Sequence, residues 1–289
     1  MARFATTGSA AETVDEAPPA PRLQRVAACG ELTVRRVAGR TRIARMYQEG
    51  AAKIRIPETE GDPLQAVLIN TAGGLTGGDR LAWAVRIEEQ AALSLTTQAC
   101  EKLYRAPDGH AGIDCAIRVA DGGRLAWLPQ ETIAYDGSAM RRRLDVELHG
   151  GASALILEAT IFGRSASGEI VRRALFRDSW RIRVDGRLVH AEEMAIDGDA
   201  AALLARHAVA AGCTAFATLV MIDPDCERHL DAARTVLGDA GGASHWRAAG
   251  TGKLLARLAA PDGMALRARL VPLIELLNGQ AGLPRIWTS

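Results

Sequence analysis

The chain has 289 residues, of which 48% are hydrophobic and only 4% aromatic, so its core must be built mainly from aliphatic side chains. Lysine and arginine together number 35 against 34 acidic residues, and this balance argues against the basic surface that nucleic-acid-binding proteins need. No apolar run approaches the length of a membrane span, so we expect no membrane insertion.

The beginning of the chain is compositionally distinct. Residues 1–21 combine proline, alanine and acidic residues and lack the apolar stretch of a secretory signal. This composition predicts a disordered N-terminal tail, followed by a single domain over residues 22–289. The five cysteines are odd in number and form no Cys-x-x-Cys pair, which is typical of reduced thiols. We therefore expect a cytoplasmic protein.

Residues 22–195 contain a long series of predicted strands at close spacing. Alternating apolar residues over 81–87 predict a strand with one buried face. The almost continuously apolar segment 154–162 predicts a strand that is covered on both faces. A turn at Asp136-Gly137 lies between two further strand-like segments and predicts a β-hairpin. Together these patterns indicate a stacked body of many short strands.

Helical patterns replace this alternation near residue 197. Residues 200–211, the segment from 223 to about 237, and residues 262–278 predict two to three helices, with an apolar strand over 213–222. The expected fold class is therefore mainly β (α+β), with a stacked β-sheet body and a C-terminal part that carries the helices.

A glycine-rich loop separates two predicted strands. It contains Gly73, Gly74, Gly77 and Gly78 and is followed by Asp79. Such glycines predict backbone with positive φ or a close approach of another segment. A phosphate-binding loop is excluded because no Gly-Lys-Ser/Thr ending follows, and a dinucleotide site because the next element alternates like a strand. The pattern alone leaves a tight turn between paired strands or part of a polar site.

Several carboxylates follow this loop or interrupt apolar strands. They are Asp79, Glu101, Glu158 and Glu192. A buried carboxylate is costly unless it pairs with a cation or faces water. One interpretation is ion pairing, for example of Glu158 with Arg164 or of Glu101 with Lys102 or Arg105. The other is a hydrated internal path, along which spaced oxygen ligands pass a divalent ion without trapping it.

Two further patterns are weak. The segment from Gly163 to Gly168 places Ser165 near a Gly-x-Ser-x-Gly nucleophile motif but misses its second glycine by one position, and so predicts a turn. Cys213, Cys226 and His229 have a loosely metal-like spacing, with buried thiols and a surface histidine as the alternative. We predict no tight metal site.

Five motifs occur together along the chain. They are NTAGGLTGGDRL at 70–81, TTQACEKLYR at 96–105, WLPQETI at 127–133, FGRSASGE at 162–169 and PRIW at 284–287. In this order and spacing they resemble the UreD (UreH) family of urease accessory proteins, from about residue 22 to the C-terminus. The resemblance implies a β-rich stacked body, no catalytic activity, and binding to UreF, through UreF to the GTPase UreG, and to the urease apoprotein. It also implies a dimer of such heterocomplexes.

The resemblance further implies that nickel passes through an internal tunnel, with no tightly bound cofactor. By motif, Asp79 and Glu158 match acidic positions of that tunnel, and Glu101 and Glu192 are further candidates. Thr96, Thr97 and Gln98 are expected beside the same path.

The contact with UreF is expected in the C-terminal region, through an exposed apolar stripe on the helix over 262–278 or through the chain end. The proposed contact residues are Leu266, Leu270, Leu273, Leu277, Arg285 and Trp287. Ordinary packing of this helix on the β body is the alternative. Two other functions stay open, namely a hydrolase that uses Asp79, Glu158 and Ser165, and a purely structural adaptor without an ion path.

Overall fold

The computed structural model describes residues 25–58, 61–164 and 167–288, and the predicted N-terminal tail lies outside these ranges. These residues form two β-sheets that face each other, called here sheet A and sheet B. Sheet A contains, in spatial order, β14 (Arg187–Gly198), β13 (Ala174–Val184), β11 (Ser138–Leu148), β8 (Ala111–Val119), β5 (Arg80–Ile87), β1 (Ala27–Val37) and β2 (Arg40–Glu49).

Sheet B is the larger sheet. Its main path contains, in spatial order, β16 (Gly241–Ala248), β17 (Thr251–Ala260), β15 (Ala215–Ile222), β12 (Ser153–Phe162), β9 (Arg124–Trp127), β6 (Ala92–Thr97), β4 (Leu64–Asn70) and β3 (Ala52–Arg55). Two short strands lie off this path: β10 (Thr132–Ala134) pairs with β12 and with β7 (Glu101–Leu103). The prediction of a mainly β, stacked-sheet fold is confirmed.

From β4 to β13 the chain passes back and forth between the two sheets. Neighbouring strands within each sheet are therefore parallel, as in β5–β8–β11–β13 of sheet A and β4–β6–β9–β12 of sheet B. The predicted hairpin around Asp136-Gly137 is wrong, because β10 lies in sheet B and β11 in sheet A. The glycine loop is likewise not a turn between paired strands, because β4 and β5 lie in different sheets.

Two hydrophobic cores stabilise this arrangement. The larger core lies between the sheets, where alternate residues of β5 such as Leu81, Trp83 and Val85 are buried. The second core lies on the outer side of sheet B, beneath the helices. Strand β12 contributes Ile156 to the first core and Leu157 to the second. The prediction that this strand is covered on both faces is confirmed.

The helices are short except for the last. They are α1 (Ala200–Ala205), α2 (Leu230–Leu237), α3 (Gly263–Asn278) and 3₁₀ segments at Cys226–His229, Gly238–Ala240, Gly279–Ala281 and Arg285–Thr288. Helix α1 ends earlier than predicted because Arg206 is extended and turns with positive φ at Ala211 and Gly212 redirect the chain into β15. Within the described ranges, no helix has both the length and the apolarity needed to cross a membrane.

Candidate functional site

A buried ion pair lies inside the inter-sheet core. Arg142 of β11 and Asp178 of β13 are direct neighbours in the parallel register of sheet A. The guanidinium donates two hydrogen bonds to the carboxylate, from Nε to Oδ1 at 2.9 Å and from Nη2 to Oδ2 at 2.6 Å. Both side chains lie on the inner faces of their strands, where most other side chains are apolar. Either charge alone would be costly to bury there, so the two must pair.

Glu158 of β12 approaches this pair from sheet B. Its Oε1 accepts a hydrogen bond from Trp127 Nε1 at 2.9 Å, and its Oε2 contacts Arg142 Nη1 without a well-directed hydrogen bond. Burial raises the pKa of Glu158 to about 7, although the Arg142 charge acts in the opposite direction. The predicted partner Arg164 is wrong, because Arg164 pairs with Glu169 at 2.8 Å.

The polar residues continue from this cluster towards the glycine loop. Thr132 of β10 lies in register between Glu101 of β7 and Thr160 of β12. Arg142 Nη1 donates a hydrogen bond to Thr132 Oγ1 at 3.3 Å, which connects the two parts. We call the five residues that cross the inter-sheet core the polar row: Glu101, Thr132, Arg142, Glu158 and Asp178.

Glu101 occupies the end of the polar row nearest the glycine loop. Its carboxylate oxygens accept hydrogen bonds from Asn70 Nδ2 at 3.1 and 3.2 Å. Burial raises the pKa of Glu101 to about 7, and the amide of Asn70 offsets this only in part. The suggested ion pairs with Lys102 or Arg105 are not formed; Lys102 is exposed and Arg105 pairs with Asp136.

The other end of the polar row opens into a cavity of about 350 Å³ between the sheets. Glu158, Asp178 and Glu192 all line this cavity, so the structure brings together two of the four predicted carboxylates. Glu192 pairs with the guanidinium of Arg257 and lies 3.5 Å from His190 Nε2. Burial acts to raise the pKa of Glu192, but its contacts with His190 and Arg257 outweigh this and hold the pKa below its ordinary value.

Asp79 has a different environment from the other three carboxylates. Its Oδ1 accepts a hydrogen bond from the Val26 amide at 2.8 Å and its Oδ2 from the Thr76 amide at 2.7 Å. These bonds attach the glycine loop to the start of β1. Asp79 lies outside the polar row, although its negative charge contributes to the raised pKa of Glu101.

The glycine loop itself has a steric explanation. A Cβ at Gly77 would lie 1.8 Å from the carbonyl oxygen of Asp108, and a Cβ at Gly74 would lie 2.4 Å from the ring of Tyr104. The prediction of close approach is therefore confirmed. The loop holds the segment after β7 against the start of β5.

The three polar residues at the end of β6 are not part of the cavity wall. Thr96 is buried and its Oγ1 has no hydrogen-bond partner among the described residues. Thr97 Oγ1 accepts a hydrogen bond from the backbone amide of Gln130 at 2.9 Å, which gives Thr97 a local structural role. Gln98 is exposed. Their place beside an ion path stays a prediction.

Sequence reasoning missed Arg142, Asp178 and Thr132. A signal for Arg142 exists in the run Arg141-Arg142-Arg143, because strand alternation sends the middle side chain to the opposite face from its neighbours. Since Met140 and Leu144 are the adjacent inward positions, a cation between them requires a buried anion.

The C-terminal residues proposed for partner binding are mostly buried. Leu266, Leu270, Leu273 and Leu277 of α3 belong to the second core, so the expectation of an exposed apolar stripe formed by them is wrong. Trp287 is also buried, and its Nε1 donates a hydrogen bond to the carbonyl oxygen of Leu128 at 3.0 Å. Arg285 is exposed.

Helix α3 is fastened to sheet B by a second ion pair. Arg267 donates to both oxygens of Glu131, from Nε at 2.7 Å and from Nη2 at 2.8 Å, and it also contacts Gln130 Oε1. The Arg267 guanidinium lies 5.3 Å from the centre of the Trp287 ring. Two of the five sequence motifs, WLPQETI and PRIW, therefore meet in one contact.

The weak patterns have no counterpart in the described ranges. Cys226 is buried, whereas His229 is half-buried at the other end of the same 3₁₀ segment. No group of three or more His, Cys, Asp or Glu side chains in residues 25–58, 61–164 and 167–288 is placed to hold a metal ion. Ser165 lies outside the described residues.

Comparison with known proteins identifies the family. The sequence model described as UreD urease accessory protein matches residues 27–288. The urease accessory protein UreD of Brucella suis (strain ATCC 23445 / NCTC 10510) is 54% identical over 266 residues, which cover 92% of this chain and 95% of that protein. The urease accessory protein UreD of Mesorhizobium japonicum is 54% identical over 268 residues, which cover 93% and 96%. The chain therefore belongs to the UreD family of urease accessory proteins, and its role lies in urease maturation.

Proposed function

We propose that this protein is a non-catalytic scaffold that binds UreF, through it UreG, and the urease apoprotein, and that conducts nickel to the urease active site. The observation that carries the proposal is the polar row, which crosses an otherwise apolar inter-sheet core and ends at a cavity of about 350 Å³. Buried carboxylates are costly to a fold. Glu101 stands apart from the cluster of Arg142, Asp178 and Glu158, and this extension of the polar residues along the core supports a role in transport.

The chemistry of the row suits a cation in transit. Glu101 and Glu158 lie at two separate points, and burial raises the pKa of each to about 7. A divalent cation must displace the proton from such a group before it binds, so occupancy changes over a small range near neutral pH. Single carboxylates spaced along a path hold an ion weakly and allow it to leave.

The positive charge of Arg142 opposes the passage of nickel along the polar row. Its guanidinium is a fixed positive charge inside the path and repels a divalent cation. The two hydrogen bonds to Asp178 hold the guanidinium on sheet A, whereas Glu158 Oε2 has only an undirected contact with it. Glu158 is therefore the carboxylate that exchanges Arg142 for the passing ion.

The test uses co-expression of the full chain with the urease subunits, UreF and UreG. Glu101→Gln and Glu158→Gln remove one charge each with little change in volume, and Glu89→Gln on an exposed turn at the other end of β5 is the control. Urease activity, nickel bound to urease and co-purification of the partners are measured. We expect intact complexes with nickel-poor urease for the first two variants and normal loading for the control.

Two other results would contradict the proposal and support one of the alternative functions. Full activation by Glu101→Gln and Glu158→Gln would contradict the ion path and support the purely structural adaptor. Saturable turnover of a small ester that Asp79→Asn abolishes would support the hydrolase. The latter needs Asp79 as a free carboxylate, whereas both of its oxygens accept hydrogen bonds from backbone amides.

The partner contacts are proposed on exposed elements only. The outward side of α3 presents Met264, which is 84% exposed, and the chain end presents Arg285. A dimer of heterocomplexes with UreF is part of the same proposal, and size-exclusion chromatography of the co-expressed complex tests it.

A further inference from the structure

The outer face of sheet A carries a concentrated set of cations. Arg80 of β5, Arg141 of β11 and Arg177 of β13 share one cross-strand row, in which Gly112 of β8 separates the first two. Their side chains point away from the inter-sheet core. They line a depression of about 400 Å³ together with His110 and Arg143. We call Arg80, His110, Arg141, Arg143 and Arg177 the basic depression.

The shape of the basic depression depends on Gly112. With no side chain on β8 at this position, the Arg80 side chain lies across the strand, and a Cβ on Gly112 would come within 2.9 Å of it. Arg80 is held there because its Nη1 donates to the carbonyl oxygens of Asp79 and His110, both at 2.9 Å. The floor is therefore preformed backbone with a fixed cation beside it.

The arginines of this site outnumber the carboxylates that line it, because Arg80, Arg141, Arg143 and Arg177 share the depression with Asp114 and Glu193. Like charges directly opposite each other on neighbouring strands, as in Arg141 and Arg177, destabilise a sheet. Arg141 and Arg143 form no hydrogen bond or salt bridge with any described residue, while Arg177 lies 3.5 Å from Asp197. Glu193 accepts a hydrogen bond from Ser179 Oγ, with its two oxygens at 2.8 and 2.7 Å, and keeps its negative charge. Asp114 is the direct cross-strand neighbour of Arg143 and offsets part of its charge, so the depression keeps an excess of positive charge around Arg80 and Arg141.

We propose that the basic depression binds an extended, carboxylate-rich segment of a partner protein. This goes beyond the proposed nickel path, because the site lies on the opposite face of sheet A from the polar row. The row from β5 to β13 spans three inter-strand steps, or about 14 Å, which suits several carboxylates along a peptide better than one small anion. Guanidinium groups bind carboxylates through paired, planar hydrogen bonds.

The rest of the surface argues against a nucleic acid as the occupant. The whole chain carries a formal charge of +1, and the basic depression covers only part of one sheet face. A nucleic acid needs a continuous basic track along its backbone. A short acidic protein segment needs only a local cluster of this size.

The test measures binding of a fluorescein-labelled peptide of alternating glutamate and serine to the full chain by fluorescence anisotropy. The variant Arg141→Gln/Arg143→Gln removes the two unpaired cations. The matched control Arg86→Gln/Arg118→Gln removes two exposed arginines that are direct neighbours on β5 and β8 at the other end of the same face. Circular dichroism checks that the exposed substitutions leave the fold unchanged.

We expect salt-sensitive peptide binding that Arg141→Gln/Arg143→Gln weakens by about tenfold or more and that the control leaves within about twofold. Equal loss in both double variants, or no peptide binding at low salt, would overturn the proposal. Tighter binding of a single-stranded oligonucleotide than of the peptide would do the same.

Two further measurements test whether another segment occupies the basic depression. Self-association that Arg141→Gln/Arg143→Gln abolishes in size-exclusion chromatography would assign the site to a second copy of this chain. Stronger peptide binding after neutralisation of Glu12, Asp15 and Glu16 would assign it to the N-terminal segment of the chain itself. Either result would overturn the assignment to a partner protein.

Discussion

Arg142 and Asp178 face each other on neighbouring parallel strands and join through two hydrogen bonds of 2.9 and 2.6 Å inside the inter-sheet core. Glu158 reaches the same guanidinium from the opposite sheet. One cation therefore connects the two layers and partly neutralises two carboxylates, which makes it the residue on which both the stability and the proposed transport depend.

Replacement of Arg142 by methionine should destabilise the protein by about 3–5 kcal/mol, because it leaves Asp178 and Glu158 as uncompensated buried acids. The double variant Arg142→Met/Asp178→Leu should recover much of this loss, since it removes one buried acid outright and Glu158, whose burial favours the neutral form, can take up a proton. Urea denaturation monitored by tryptophan fluorescence measures both. Arg143→Gln on the exposed face of the same strand is the control, and an equal loss there would contradict the explanation.

The stability of the protein should respond to Glu101 in a defined pH window. Burial raises the pKa of this carboxyl from 4.5 to about 7 in the folded protein, so the folded state binds one more proton than the unfolded state between these values. Stability attributable to Glu101 is therefore present below pH 4.5 and is lost as the pH rises towards 7.

Glu101→Gln removes this dependence because the amide is neutral at every pH. We expect the variant to be more stable than the parent at pH 8 by about 1–3 kcal/mol, with the difference vanishing below pH 4.5. Thermal denaturation across this range checks the prediction. A variant that loses stability at pH 8 would show that the negative charge of Glu101 stabilises the fold.

Gly77 should tolerate no side chain. Gly77→Ala would place a Cβ 1.8 Å from the Asp108 carbonyl oxygen, and the cost should be about 2–3 kcal/mol because backbone must move. Gly242→Ala, where a Cβ meets no atom within 4 Å, should change the free energy of unfolding by less than about 1 kcal/mol. Similar losses in both variants would point to strand propensity instead of the close approach.

The attachment of α3 should depend on the geometry of Arg267 and not only on its charge. Arg267→Lys keeps the cation but cannot donate two parallel hydrogen bonds to Glu131, so we expect a loss of about 1–3 kcal/mol. Hydrogen exchange of α3 amides should quicken in this variant. Arg269→Lys should leave exchange unchanged, because the one hydrogen bond of Arg269 among the described residues is a long one, from Nη1 to the Val236 carbonyl oxygen at 3.4 Å.

The strands were predictable from sequence, but their grouping into sheets was not. The alternation of β5 and the apolar run of β12 indicate strands because side-chain period and burial are local properties. The sheet that a strand joins is not a local property of its sequence. A short turn such as Asp136-Gly137 looks the same whether it closes a hairpin or carries the chain across to the other sheet.

The candidate site could likewise be predicted from sequence only in part. Glu158 could be recognised because a carboxylate inside an apolar run needs an explanation. Its partner Arg142 lies between two exposed arginines and its neighbour Asp178 is fixed only by strand register, so neither the pairing nor the cavity could be read from sequence. The leucines of α3 were ambiguous because a core face and a docking face have the same helical spacing.

The passage of the chain between the two sheets also determines when the protein can fold. Within the parallel part, each strand finds its lateral partner only after the chain has visited the opposite layer, so most pairings are non-local and form slowly. Helix α3 and Trp287, the last described segments to leave the ribosome, cover the outer face of sheet B. Until they are made, the apolar residues of β12 on that side stay in contact with water, and a chain that stops short of them is exposed to aggregation.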